Sequence, residues 1–194
     1  MKRATTLSFV IALWLTAPSV VRAQSAPTRL SDVMKALDCL ERSDNMSAWK
    51  RERVEPFGGA EDIFIYAYIS GGRRVMVKVM YYPSEREANL SFKSFETHAS
   101  GVNFKRLQNL GDEAYSWGFD DVVVMRKRNL MVYVSAATNI DSLLPEIEQA
   151  ETAALASTEK KLLTKNFARM IAKTLSDLGE ACRPDSTFRY SIRN

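Results

Sequence analysis

The stretch from Leu110 to Ala136, LGDEAYSWGFDDVVVMRKRNLMVYVSA, constrains this chain more than any other. Apolar and β-branched runs between turn formers predict a β-meander there. A turn at Gly111-Asp112 leads to a strand through Tyr115 and Trp117, a turn at Asp120-Asp121, and a hairpin of Val122–Lys127 against Leu130–Ala136. Three strands are unstable in water without an apolar cover, and the helical segments on either side supply one. Arg128-Asn129 must close the second hairpin. Arginine accepts a left-handed backbone much less readily than asparagine, so a small strain or a longer loop is expected.

A second hairpin is predicted for Ile63–Ile69 and Arg74–Tyr82, joined by Gly71-Gly72, a pair that tolerates the positive φ of a two-residue turn. That turn sets the register: Tyr68 opposite Val75, Tyr66 opposite Val77, Phe64 opposite Val79. One face is then aromatic and β-branched throughout and must be core, so Phe64, Tyr66, Tyr68 and Tyr81 read as core and not as a stacking platform for sugars or bases. The other face carries Ile63, Ile65, Ala67 and Ile69 with Arg74, Met76, Lys78 and Met80, more apolar than a solvated face needs to be. Ile63, Ile65, Ile69, Met76 and Met80 are therefore a candidate interaction face. Its readings are a dimer contact, a ligand groove, or a surface covered by Asn45–Glu55 or by the Ala-rich Ala150–Ala156.

Helical signals flank the strands. Ser31 is placed to cap a helix from Asp32 to Arg42, with Val33, Leu37 and Leu40 on one stripe and Cys39 off its centre. Asn45–Glu55 reads as a short edge strand or a loop anchored by Trp49. Ser84 and Glu87 have capping-box spacing before a helix carrying Ala88, Phe92, Phe95 and Ala99, with Gly101 as its stop. After Thr138 the chain turns helical. Asp141 or Ser142 opens a segment with Pro145 near its start, and Ser157 caps a last helix with Leu163, Phe167, Met170, Ile171, Leu175 and Leu178 on its apolar stripe, ending at Gly179. Hairpin followed by helix occurs in both halves, like a weak internal duplication. The expected class is α+β: an antiparallel sheet of hairpin and meander with helices packed mainly on one face.

Residues 1–23 have the layout of an export signal. Lys2 and Arg3 precede the apolar Leu7–Thr16, Pro18 breaks it, and Val21-Arg22-Ala23 offers a cleavage site before Gln24. The apolar run is shorter than the roughly 20 residues a bilayer span needs, and no cysteine stands ready for a lipid. The expectation is a periplasmic or secreted protein without a membrane anchor after cleavage. It has a lead-in over 24–30, one domain over 31–182 and a polar tail over 183–194. Of 27 Lys+Arg and 23 Asp+Glu, three basic residues lie in the signal, which leaves 24 against 23, a net of +1. The overall balance gives no electrostatic case for nucleic acid. Cys39 and Cys182 stand near the two ends of the domain. In an oxidising compartment they read most simply as a disulfide, with two unpaired thiols as the competing reading.

Few residues point to bond-making chemistry. His98 is the only histidine, at the end of a helix. No Cys, His or carboxylate cluster has metal-ligand spacing, and no nucleophile elbow or phosphate-binding glycine loop occurs. Asp120-Asp121 is a turn, and Glu146, Glu148 and Glu151 read as a solvated helix face. No catalytic residue, metal or cofactor is assigned.

At LGDEAY (110–115) followed by VVVMRKRNLMVYVSA (122–136), with Tyr82-Pro83-Ser84, Ala88 and Phe92 upstream, the chain resembles a loose group of small exported bacterial proteins of uncharacterised function. It is also similar to the extracellular sensor-type domains of some bacterial Ser/Thr kinases and to related secreted lipoproteins. The resemblance covers residues 75–136, rests on turn and core positions, and implies an α+β sandwich that binds a ligand or partner. It brings no catalytic residues. Arg128 stands where the group has a turn glycine, and the lipid-attachment cysteine is absent.

The function expected is a non-catalytic binding or interaction module for a protein partner or a small apolar ligand, possible as a homodimer. One alternative is a hydrolase with a carboxylate or tyrosine site in a cleft between helix and sheet. A second is an envelope stress or chaperone-like protein that exposes apolar surface.

Overall fold

The Gly71-Gly72 turn sets the register expected of it. β2 (Ile63–Ser70) and β3 (Arg73–Tyr81) pair antiparallel with Tyr68 opposite Val75, Tyr66 opposite Val77 and Phe64 opposite Val79. The computed structural model describes residues 28–177 except 57, 59, 61, 100–102 and 140–148. The export signal, Gly101, Asp141, Ser142, Pro145, Glu146, Glu148, Gly179, Cys182 and the tail thus lie outside the described residues.

Asn45–Glu55 yields an edge strand, β1 (Lys50–Val54), paired antiparallel with β2. Its charged sequence, KRERV, discourages a further strand from adding to that edge. The meander forms as β5 (Glu113–Trp117), β6 (Val122–Lys127) and β7 (Leu130–Thr138). A three-residue strand that the sequence did not suggest, β4 (Lys105–Leu107), pairs with β5. It is too short to show an alternation. β3 pairs with β7, so the two groups of strands join in one seven-stranded antiparallel sheet of order β1-β2-β3-β7-β6-β5-β4.

Among the described residues three α-helices cover this sheet, two on one face and one on the other. α1 (Leu30–Glu41) and α3 (Gln149–Ser176) lie on the face formed by Tyr66, Tyr68, Val75, Val77, Val79, Val132 and Val134. Val33 and Leu37 of α1 and Phe167, Ala168 and Ile171 of α3 complete that core, all nearly or wholly buried. The arrangement follows from the sheet: β2 and β3 present their unbroken aromatic and β-branched side to it. α2 (Glu85–Ala99) takes the opposite face, where Phe92 packs with Tyr115, Val124 and Met131. The architecture is α+β with helices mainly on one face.

The likeness of the two halves stops at chain order. Exchanging the antiparallel neighbours β3 and β7 needs a two-fold axis normal to the sheet, and that operation keeps each helix on its own face. The helices that follow them, α2 and α3, lie on opposite faces.

Several helix ends differ from the sequence reading. Ser31 does not cap α1. The N-cap is Arg29, which makes no side-chain cap bond, and its carbonyl accepts from the amides of Asp32 and Val33 at 3.0 and 3.2 Å. Ser157 caps nothing either, because α3 runs unbroken from Gln149 to Ser176 through the Ala-rich stretch. Alanine's high helix propensity carries it across a serine that a shorter helix would use as its start. At α2 the Ser84 hydroxyl accepts from the Glu87 amide at 3.2 Å, the Ser84 half of the anticipated box.

Arg51 fixes α1 to the sheet edge. Its guanidinium reaches Asp38 at 2.6 Å and Glu41 at 2.9 Å, and it lies 5.0 Å from the centroid of the Tyr66 ring. The Tyr68 phenol, fully buried near Arg51, is pushed up to about 12, with burial the cause and the guanidinium opposing it.

Candidate functional site: an open strip of sheet

The five residues singled out in the sequence lie together on one face. Strand pairing sets them in rows running from β1 across β2 and β3 to β7. The first row is Lys50, Ile69, Arg74, Ala137, and the second is Glu52, Ala67, Met76, Ser135. The third is Val54, Ile65, Lys78, Tyr133, and the last, beyond the end of β1, is Ile63, Met80, Met131.

Ile63, Ile65, Ile69, Met76 and Met80 are each partly exposed. Ala67, the small residue among them, is fully buried by its neighbours. The apolar line from Ile63 to Ile69 is about 20 Å long at the rise of an extended strand. Neither cover considered for it is there. Asn45–Glu55 extends the sheet sideways as β1, and the Ala-rich stretch belongs to α3 on the opposite face, where Thr138 donates to the Ala156 carbonyl at 3.3 Å. α2, the one described helix on this side, packs over β6 and β7. Met80 and Tyr133, at the edge towards α2, pack against the cluster that α2 covers, and the rest of the strip, Ile65, Ile69 and Met76, is open among the described residues.

Its charge is uneven. Lys50, Arg74 and Lys78 stand against one carboxylate, Glu52, which is bound to Lys50 at 2.8 Å. That hydrogen bond, with the charges of Lys50 and Arg74, holds the Glu52 carboxyl below the usual range. Lys78 Nζ lies 5.6 Å from the centroid of the Tyr133 ring. The sequence did not show that Lys50, Val54 and Tyr133 border this patch. Their placement depends on which strands flank β2 and β3, and no local pattern encodes that.

The LGDEA and RKRN segments lock into each other. Gly111 has φ +65, and a Cβ there would sit 2.5 Å from the Arg126 carbonyl oxygen, so only glycine fits. Next to it the Asp112 amide donates to that oxygen at 2.8 Å. The Asp112 carboxylate accepts from the Arg128 amide at 2.6 Å and pairs with Arg126 at 3.4 Å and Lys127 at 3.2 Å. Arg126 is nearly buried and also meets Glu113 and Glu85, each at 3.5 Å. Arg128 does adopt the left-handed backbone, at φ +52, in a two-residue turn. The expected strain is accepted without a longer loop, and Asp112 holds the residue there.

The remaining polar residues also serve the fold. Asp120 accepts from the Ser116 hydroxyl and from Lys165 at 2.7 Å, and Asp121 pairs with Lys160 at 2.9 Å. The β5–β6 turn is thereby fastened to α3. The Lys165 hydrogen bond, then that of Ser116, lowers the Asp120 carboxyl. Ser116 is fully buried and its hydroxyl is engaged with Asp120. A shallow polar groove of about 380 Å³ runs along Arg106–Ala114, and its carboxylates, Asp112 and Glu113, both hold Arg126. His98 is exposed, with Nδ1 2.6 Å from the Ser94 carbonyl. Tyr115 lies among Phe92, Phe95 and Phe104, and burial raises its phenol. Among the described residues no three His, Cys, Asp or Glu side chains could hold a metal ion, and no helix is long and apolar enough to cross a membrane.

Among the described residues the site is therefore a largely uncovered, basic-rimmed strip on an α+β sheet. Compared with family models, with curated proteins and with solved structures, the chain finds no match.

Proposed function

We propose that this protein is a non-catalytic binding module of the periplasm or the exterior, and that the outer face of β1, β2 and β3 is its contact surface. One observation carries this reading. Ile63, Ile65, Ile69, Met76 and Met80 stand partly exposed in a continuous strip, while the same strands bury their other face completely at Tyr68, Val75, Val77 and Val79. A chain that seals one face so well and leaves an apolar line on the other keeps that line for something it meets. The compartment rests on the layout of residues 1–23 and on Cys39 and Cys182, which an oxidising environment would join.

A photo-crosslinking amino acid placed at Ile65 or at Met76, in the native host, tests the surface. Asn166, exposed on the outward side of α3, is the control position. The expected result is a heavier adduct from positions 65 and 76 that is missing from 166. The same adduct pattern at all three positions would sink the reading.

A further inference from the structure

We propose that the strip receives an acidic amphipathic helix of a partner protein; this rests on the contact-surface reading above and adds the chemistry of the occupant. Three observations point to it, and the first is shape. Among the described residues the opposite face carries two helices, whereas this one carries α2 alone, over β6 and β7. The uncovered part spans β1 to β3, two strand spacings or about 10 Å across, next to a wall made by α2. A helix with its side chains is about 10–12 Å across. The apolar line of about 20 Å matches roughly 13 helical residues at 1.5 Å each.

The second observation is charge. Lys50 and Arg74 close one end of the strip and Lys78 lies beside its middle, with Glu52 as the one carboxylate. A helix with carboxylates flanking a leucine-like stripe would meet these cations while its stripe covers Ile65, Ile69 and Met76.

The third observation weighs against a membrane and against two ways of docking a second copy. A bilayer is flat, and α2 stands about one helix diameter above the sheet on this side, so a membrane would touch α2 before reaching Ile65. A second copy meeting strip to strip with strands in the same direction would bring the Lys50 and Arg74 ends together; with strands reversed that end would face Ile63 and Met80, an arrangement that native mass distinguishes. A second copy offering its α2 would bring one exposed large apolar side chain, Leu90, 59% exposed, among Arg86 and Lys93.

The test uses the processed full-length chain with methyl-labelled isoleucine and methionine and two synthetic helical peptides of about five turns, or 18 residues. Both peptides carry the same leucine stripe; one is flanked by glutamate and the other by lysine. The expected result is saturable shifts of the Ile63, Ile65, Ile69, Met76 and Met80 methyls with the glutamate peptide, at least ten-fold tighter than with the lysine peptide and weakened by salt. Arg74→Glu with Lys78→Glu, both on the sheet surface, should reverse the preference. Equal binding of the two peptides, or binding of neither, overturns the acidic helix. Binding to phosphatidylglycerol vesicles that shifts these methyls while the peptides do not would assign the strip to lipid instead. A doubled native mass that Ile65→Asp returns to monomer would assign it to a second copy. In all of these cases the crosslinks from positions 65 and 76 still report separately on whether the strip is a contact surface.

Discussion

Asn129 grips the backbone of Thr28 across 101 positions of chain: its Oδ1 accepts from the Thr28 amide at 2.9 Å and its Nδ2 donates to the Thr28 carbonyl at 3.2 Å. The same Nδ2 donates to the Tyr82 carbonyl at 2.9 Å, and the Tyr82 amide donates to the Asn129 carbonyl at 2.9 Å. A side-chain amide thus stands in for a peptide group, fastening the start of the described chain to the β6–β7 turn and to the end of β3. Asn129 is fully buried and Thr28 nearly so.

Asn129→Ala is expected to be costly, because it strands the buried amide and carbonyl of Thr28 and leaves the half-buried Tyr82 carbonyl without its donor. Each such group costs about 1–3 kcal/mol, so a loss of roughly 3 kcal/mol in urea unfolding is expected. A loss below about 0.5 kcal/mol, the range of ordinary surface substitutions, would contradict the clamp.

Phe119 is the opposite case, an exposed residue held in a costly backbone conformation. It sits at φ +62 between Gly118 at +63 and Asp120 at +72, and the residue is 67% exposed. A left-handed backbone costs a residue such as phenylalanine about 1–2 kcal/mol, and asparagine adopts it more easily. Phe119→Asn should therefore raise stability by about 0.5–1 kcal/mol, read from the urea midpoint. Destabilisation by that variant would show that the ring has a partner in the folded chain.

The anchoring of the β5–β6 turn to α3 should weaken in acid. Lys165 and Ser116 hold the Asp120 carboxyl below its ordinary 3.8. A depressed carboxylate contributes stability in full above its unfolded value and loses it as the pH falls through the folded one. Asp120→Asn should be less stable than the wild type at neutral pH, by about 1 kcal/mol or less. The gap should close as the pH drops below about 4. A gap unchanged down to pH 2 would mean that the ion pair contributes nothing.

Cys39 lies partly exposed on α1, and the proposed oxidised state makes a separate prediction about it. Mature protein from its host should begin near Gln24, weigh two hydrogens less than the reduced chain, and yield a peptide joining Cys39 to Cys182. Closing a loop of about 140 residues is worth about 5 kcal/mol in the chain-entropy model, so reduction should lower the urea midpoint substantially. A pair of alkylatable thiols in freshly isolated protein would contradict this.

The strands were readable because their signals are local. Gly71-Gly72 fixes a two-residue turn, and once that is fixed the period of two assigns every side chain of Ile63–Tyr81 to a face. The candidate patch followed from the same rule. What covers each face is not local. Nothing in KRERV says that it will extend the sheet beside β2 instead of lying over it, and nothing in EREANLSFKSFETHA says that α2 will cross β6 and β7. The helix caps misled for a related reason. Ser31 and Ser157 have the right residue type, but Leu30 and the alanines before Ser157 are already helical, so both serines fall inside their helices. The LGDEA and RKRN segments were recognisable as motifs. Their purpose shows only in three dimensions, where Asp112 and Gly111 of one hold Arg126 and Arg128 of the other.

Methionine oxidation tests most directly whether the strip is uncovered and used. Met76 and Met80 lie on it, whereas Met46, Met125 and Met131 are almost fully buried. In brief peroxide exposure of the purified mature protein, Met76 should oxidise ahead of Met80, and the three buried residues far more slowly; Met34 and Met170, partly buried on the opposite side, serve as a reference for the comparison in cells. In intact host cells given the same exposure, Met76 and Met80 should be protected several-fold while the buried residues stay as they were. If Met76 resists oxidation in the isolated chain, or oxidises equally fast inside the cell, the strip is not the contact surface of this protein.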